Sequence, residues 1–318
     1  PMPSSYTHQL IAEKVAEELP ENVKSRLSFM PEYFLGAQGG DIFYFYNMAG
    51  REKNVGKYFH RRNIYGVFSS FLQSASACAP AALCYMAGYI THYAADTVFH
   101  PYVYWLARTQ KQKTGRKKDN IHARSESDFD SYFVQKIRRV GVNEYEHPVR
   151  YGDLDFGALF PVLKAACAER ELTEKGLRRA VRRFFRMQEF FSDRHLRRGK
   201  ALYGLESVLH APHFFSGLYR REHCDEAFLN GERGKWHYPA DPEKVSHESV
   251  DELFGRSVKE GVRLICAFFI ALDGGQTLSE EDFGKHFLTG LPENAPALYD
   301  EKGDPVLPQA RGIPADKE

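Results

Sequence analysis

Cysteine is scarce in this chain, with five in 318 residues: Cys78, Cys84, Cys167, Cys224 and Cys266. The number is odd and no C-x-x-C pair occurs. A disulfide framework or a thiolate metal site is thereby disfavoured, and buried free thiols are the expectation. Excess charge is also absent. Lys and Arg total 43 against 42 for Asp and Glu, so there is no chain-wide electrostatic case for nucleic acid or an anionic membrane. No uninterrupted apolar run is long enough to span a bilayer. The opening stretch PMPSSYTHQLIAEKVAEEL lacks a basic segment followed by an apolar one, which argues against a secretory leader. These absences together predict a protein of the reducing cytoplasm. No internal repeat and no sustained strand alternation occur either.

What is present is apolar and aromatic. Hydrophobic residues make up 43% of the chain, with 24 Phe and 18 Tyr, which predicts a packed globular protein with a sizeable core. Helical spacing dominates. It runs over Thr7–Leu19, which Pro20 ends, then over Tyr58–Ala77, and then through APAALCYMAGYITHYAADTVFHPYVYWLA. Pro101 should end or kink that last helix near His100. Further helical stretches are IHARSESDFDSYFVQKIRRV, Leu154–Glu169, Thr173–Asp193 and Ser246–Leu272. A glycine-rich turn at Gly36–Gly40 leads into an aromatic stretch with Asp41 at the junction. The segment from His210 to Lys244 reads as irregular chain wrapping the core. The expected architecture is all-α, one multi-helix domain over residues 1–290, followed by a Pro-, Gly- and charge-rich tail over 291–318.

The stretch YITHYAADTVFH places His92, Asp96 and His100 four residues apart, twice. Each four-residue step turns ~40° about a helix axis and climbs ~6 Å, so the three share one stripe while His92 and His100 stand ~12 Å apart at the backbone. That span is too long for one shared metal and suits two, with a carboxylate between them. Gly88, one step earlier, could admit another backbone. Burying Asp96 without a cation would cost several kcal/mol, yet no Lys or Arg lies between Val67 and Ala107. Hydrogen-bonded core histidines are the alternative reading of the same stripe. Further donors are His122 and Glu126, an i, i+4 pair on one helix face, together with His60, Asp41 and His8. Imidazole plus carboxylate favours zinc or a similar divalent ion, and two or three such ions a few Å apart clamp a phosphoryl group.

The order of these elements is an early His, G-A-x-x-x-D, a His, H-x-x-x-D, a His and H-x-x-x-E. It resembles the bacterial zinc-dependent phospholipase C family, whose all-α fold is shared with single-strand-specific zinc nucleases. The resemblance covers roughly residues 8–126. It implies that Asp41, His60, His92 and Asp96 hold a first zinc, that His100, His122 and Glu126 hold a second, and that His8 with bridging Asp96 contributes to a third. It also implies that Asp41 helps to position or deprotonate the attacking water. Two departures matter. Secreted members complete the third site with an N-terminal Trp, which PMPSSYTH lacks, so two zinc ions are expected, and His8 is either a ligand of a third or a core residue beside the other two. His100 also follows Asp96 more closely than is usual in the family. The membrane-binding β-sandwich of some toxins has no counterpart.

The expected activity is zinc-dependent phosphoesterase chemistry on a small phosphate ester or a phospholipid headgroup. Nuclease-type cleavage and a catalytically inactive metal-binding protein are the alternatives, and near-neutral charge disfavours nucleic acid. Two basic segments could touch a peripheral membrane surface. One is the loop QKQKTGRKKD, with Lys111, Lys113, Arg116, Lys117 and Lys118. The other is RRAVRRFFRMQEFFSDRHLRRG, which also reads as a core-packed helix with a charged outer face.

Overall fold

In the computed structural model, residues 5–46, 54–114, 121–168, 170–193, 197–209 and 216–293 are described. The side chains of residues 110–114 and of Pro242 are outside that description, as are the basic loop 115–120, His210 and His213, and the tail from 294 onward. In chain order the helices are α1 (Ser5–Glu18), α2 (Glu21–Lys24), α3 (Met30–Gly36), a 3-10 helix (Gly39–Phe45), α4 (Val55–Arg61), α5 (Ile64–Ala75), α6 (Pro80–Thr114) and α7 (Ile121–Phe133), which continues as a π-turn over Val134–Arg138. Then come α8 (Phe156–Ala166), α9 (Glu174–Phe191), α10 (Arg197–Val208), the strands β1 (Trp236–Tyr238) and β2 (Asp241–Ser246), and finally α11 (Val250–Gly274) and α12 (Glu280–Phe283). The all-α expectation holds, with one small addition: an antiparallel hairpin in the segment read as irregular. Its register slips between His237 and Tyr238, and buried Trp236 packs its ring 5.3 Å from that of Tyr102.

α6 is the axis of the molecule. It packs against α3, α11, α7 and α1, and nearly every side chain from Ala81 to Val103 is buried. A helix that is apolar apart from one short polar stripe has no solvent side and must sit in the middle. Gly88 allows this on the α3 side, because a Cβ there would lie 1.9 Å from the Tyr33 carbonyl oxygen. α11 closes another side. It opens with a capping box in which Ser249 and Glu252 each satisfy the other's backbone N–H, and it stops at Gly275 in the left-handed region.

Three boundaries differ from the sequence expectation. The helix read over Tyr58–Ala77 is two helices, α4 and α5. Arg62 is extended and Asn63 takes φ 52°, a conformation asparagine tolerates better than most residues. Of the end or kink expected near His100, the end does not occur: α6 carries Pro101 within it. Proline removes the N–H that would meet the carbonyl of Thr97. That carbonyl faces Gly290 instead, where a Cβ would lie 2.5 Å from the oxygen. α2, α3, α10 and α12 were not read from the sequence at all. The five cysteines are free, with Cys84 and Cys167 buried and the others half-buried.

α9 matches the core-packed reading of its basic segment. Leu177, Ala180, Val181 and Phe184 are buried, and Phe184 meets Phe45 of the 3-10 helix at 6.1 Å between rings. Among the described residues no helix is long and apolar enough to cross a membrane.

Candidate metal centre

All eight residues singled out from the sequence meet at one place, where α6 is flanked by α1, the 3-10 helix, α4 and α7. His8 comes from α1, Asp41 from the 3-10 helix and His60 from the last turn of α4. His92, Asp96 and His100 come from α6, and His122 and Glu126 from α7. Seven are buried, and His122 keeps 24% of its side chain exposed. The glycine-rich turn makes room for two of the imidazoles. Gly39 has φ +50°, and a Cβ on it would lie 2.0 Å from His92; a Cβ on Gly40 would lie 2.6 Å from His60.

The donor atoms fall into three groups: Asp41, His60 and His92; His8, His92 and Asp96; and His100, His122 and Glu126. Asp41 Oδ1 is 3.2 Å from His60 Nε2, and the Nε2 atoms of His60 and His92 are 3.3 Å apart. Asp96 Oδ1 is 3.3 Å from His8 Nε2. Asp96 Oδ2 is 3.4 Å from His92 Nε2, 3.6 Å from His100 Nδ1 and 3.7 Å from His60 Nε2. Glu126 Oε1 is 3.1 Å from His122 Nε2 and 3.5 Å from His100 Nε2. Donors around a tetrahedral zinc, each bonded at about 2.0–2.1 Å, stand ~3.3 Å from one another. The side chains are already spaced as ligands of such an ion would be.

Two further observations fit a divalent cation. Asp41 Oδ1, Asp96 Oδ2, Glu126 Oε2, His8 Nδ1 and His92 Nδ1 are buried and make no hydrogen bond among the described residues, an arrangement that is costly unless something else satisfies them. A cavity of about 20 Å³ is lined by His8, Asp96, His100 and Glu126 together with apolar side chains. That is room for one water-sized or ion-sized guest.

Backbone carbonyls orient two of the rings. His60 Nδ1 lies 2.7 Å from the Gly56 carbonyl and His100 Nδ1 lies 3.0 Å from that of Phe287. Donation from Nδ1 turns each Nε2 lone pair toward the carboxylates, the usual support for a metal-binding imidazole.

Burial and mutual charge set the protonation states of the metal-free cluster. Burial drives His92 down to about 3 despite Asp96, so it is a neutral imidazole. Burial alone would raise the carboxylates, but His100 and His92 outweigh it at Asp96 and hold that group well below the usual carboxylate range. His122 and His100 likewise hold Glu126 at about 2. At His100 the opposite balance applies: burial disfavours its charge, yet Asp96 and Glu126 raise it to about 9. His8 is raised in the same way by Asp96 against its own burial. A proton on His100 therefore offsets carboxylate charge when no cation does.

The grouping differs slightly from the sequence expectation. His92 is shared between two groups, and Asp96 lies closest to His8 and His92 while still reaching His60 and His100. From the aromatic run Phe43–Tyr46, which the sequence offers as pocket or core rings, Tyr44 stacks on His60 at 5.3 Å. Sequence reading missed other residues around the cluster. Tyr104 meets His122 edge-on at 5.0 Å. Phe287 packs its ring 5.2 Å from His60 and 5.8 Å from His92. Burial, with the Arg61 guanidinium nearby, drives buried His286 down to about 3. Tyr104 continues the four-residue stripe of His92, Asp96 and His100 and could have been found there. Phe287 lies 187 residues from the histidine it orients, and nothing local in the sequence signals it.

The fold and site together define a helical protein built around a buried imidazole–carboxylate cluster suited to several divalent ions. A family model described as zinc dependent phospholipase C matches residues 7–170, more than half of the chain, and the protein belongs to that family. Neither the curated proteins nor the solved structures compared with the chain yield a match.

Proposed function

We propose that this protein is a zinc-dependent phosphoric ester hydrolase of phospholipase C type, with a phospholipid-like phosphate ester as its substrate class. The observation that carries this reading is the spacing of the donor atoms, at 3.1 to 3.7 Å with several buried atoms unsatisfied. Asp41, His60, His92 and Asp96 would hold one ion. His100, His122 and Glu126 would hold a second. His8, His92 and Asp96 form a third group, and it shares His92 and Asp96 with the first. Zinc bound there supplies Lewis acidity toward phosphoryl oxygens and brings the pKa of water toward neutrality.

The chain's own groups do the rest. Asp96 and Glu126, ionised by their environment, supply the negative charge that retains dications. Neutral His92 offers a lone pair without prior loss of a proton. Asp41, rigid in the 3-10 helix, is the base that accepts the proton of the attacking nucleophile. Tyr44, Tyr104 and Phe287 wall the cluster with rings that limit water.

Two measurements test the reading together. Protein purified without added metal should retain zinc, and His92→Ala should lose it. Less than one equivalent of bound ion, with His92→Ala leaving stability unchanged, overturns the metal centre. A panel of phosphocholine-type esters, phosphomonoesters and single-stranded DNA should show turnover of the first. Turnover of DNA alone would make the protein a nuclease, and zinc retention without any turnover would make it a binding protein.

A further inference from the structure

α10 buries the wrong residues for a core-packed amphipathic helix. Glu206 is 5% exposed, and its Oε2 accepts the backbone N–H of Ser216 at 3.2 Å. Ala201, Leu205, Val208 and Leu209 follow the i, i+4, i+7, i+8 spacing of one face. Leu205, Val208 and Leu209 are 54%, 75% and 65% exposed. Phe190 at the end of α9 is half exposed as well. Exposed apolar side chains gathered on one helix face mark a binding surface.

The neighbouring helix supplies charge. A cleft of about 710 Å³ along α9 is lined by Lys175, Arg178, Arg179, Arg182, Arg183 and Arg186, with Tyr151 and the single acid Glu174. Glu174 is already engaged by Arg178 at 2.6 Å. Tyr151 also lines the adjoining larger cavity, whose far wall carries Arg197 and Arg198 at the start of α10. Arg198 lies over the ring of Phe190, at the end of α9, at 5.8 Å, and stands seven residues before Leu205 on the same face of α10, so the apolar stripe starts beside the end of the α9 row. α9 is in turn fastened to the element that bears Asp41, because Arg183 Nη1 donates to the Phe45 carbonyl at 3.2 Å.

We propose that α9 and α10 form a docking face for an anionic phospholipid bilayer, the arginines of α9 meeting the headgroups and the outer stripe of α10 entering the interfacial region. Charge complementarity selects the occupant. A row of cations beside exposed leucine and valine fits a surface that is negative outside and apolar beneath. A nucleic acid would use the cations but not the stripe, and a second copy of the chain would oppose cations to cations. The choice of a bilayer rests on the phospholipase-type reading of the centre, whereas the face itself is observed independently of it.

The test is sedimentation of the full chain with vesicles of phosphatidylcholine, with and without phosphatidylserine, at low and high salt. Binding is expected only with phosphatidylserine and is expected to weaken with salt. Neutralising arginines at the surface costs about five-fold in partitioning for each. The triple variant Arg179→Gln, Arg182→Gln, Arg186→Gln should therefore bind about a hundred-fold less. Leu205→Glu with Leu209→Glu should abolish binding. Both variants should keep the wild-type melting curve, zinc content and turnover of a soluble phosphate ester, since none of these residues touches the centre. Wild-type protein that ignores phosphatidylserine overturns the proposal, as do variants that bind like wild type. So does an α10 variant that only turns a dimer into a monomer by light scattering while vesicle binding persists. Vesicle binding is read without hydrolysis, so its failure and the failure of the hydrolase reading remain distinguishable.

Discussion

At the scale of single residues, the centre separates roles that one substitution each can test. His92 sits in two donor groups at once, so His92→Ala should lower zinc affinity by more than the roughly ten- to hundred-fold typical of losing an outer partner, measured by competition with a chelating dye. Asp41→Asn keeps the shape and an oxygen donor but removes the base. It should retain zinc and lower kcat by about 10²–10⁴-fold, read from turnover at saturating substrate. A third residue stands away from the centre. Burial, with Arg220 nearby, drives His147 down to about 3, and its Nδ1 accepts the Val149 N–H at 3.4 Å. The unfolded chain then binds the proton that the folded one refuses. His147 thus contributes stability above its ordinary pKa of about 6.5 that is lost as pH falls toward 3. In melts of metal-free protein, His147→Asn should show a shallower fall in midpoint over that window than wild type.

Among elements, α6 shows most clearly what a sequence can and cannot convey. Its stripe of His92, Asp96 and His100 was legible because helical geometry is local and the surrounding residues are too apolar to tolerate polar groups without a reason. The partners Asp41, His60, His122 and Glu126 were legible through residue type and order. Whether α6 would end at Pro101 or pass through it was not, because the compensation comes from Gly290, far along the chain. The split between α4 and α5 was hidden for a different reason: apolar periodicity runs through Arg62 and Asn63, and only the left-handed φ of Asn63 breaks it. The close packing of α6 on α3 carries its own test. Gly88→Ala would place a methyl 1.9 Å from the Tyr33 carbonyl, an overpacking expected to cost about 1–3 kcal/mol or more. Gly255→Ala, in α11 where nothing lies within 4 Å, should instead stabilise by about 0.5–1 kcal/mol. Urea titration of the two variants distinguishes packing from helix propensity.

For the whole molecule, the cluster ties together α1, the 3-10 helix, α4, α6 and α7, so an ion bound there holds the folded state specifically. Chelation should lower the melting midpoint and added zinc should restore it. At a free concentration of 100 times Kd the linkage contributes about 2.7 kcal/mol, and calorimetry with and without chelator checks it. The matched family region, residues 7–170, contains all eight donors, yet α11 and the segment after it close the core around α6.

That closing segment has a consequence in time as well as in space. Between His286 and Gly290 the chain supplies the carbonyl that sets the His100 ring, the phenyl group against His60 and His92, and the cover for the open Thr97 carbonyl. During synthesis every donor has left the ribosome long before this clasp exists. A nascent chain halted after Glu126 would hold the ingredients of the centre without the part that aims them. Correct metal loading is therefore expected to be a late event, and release-stalled chains of increasing length should acquire tight zinc binding only once residues 286–290 have emerged.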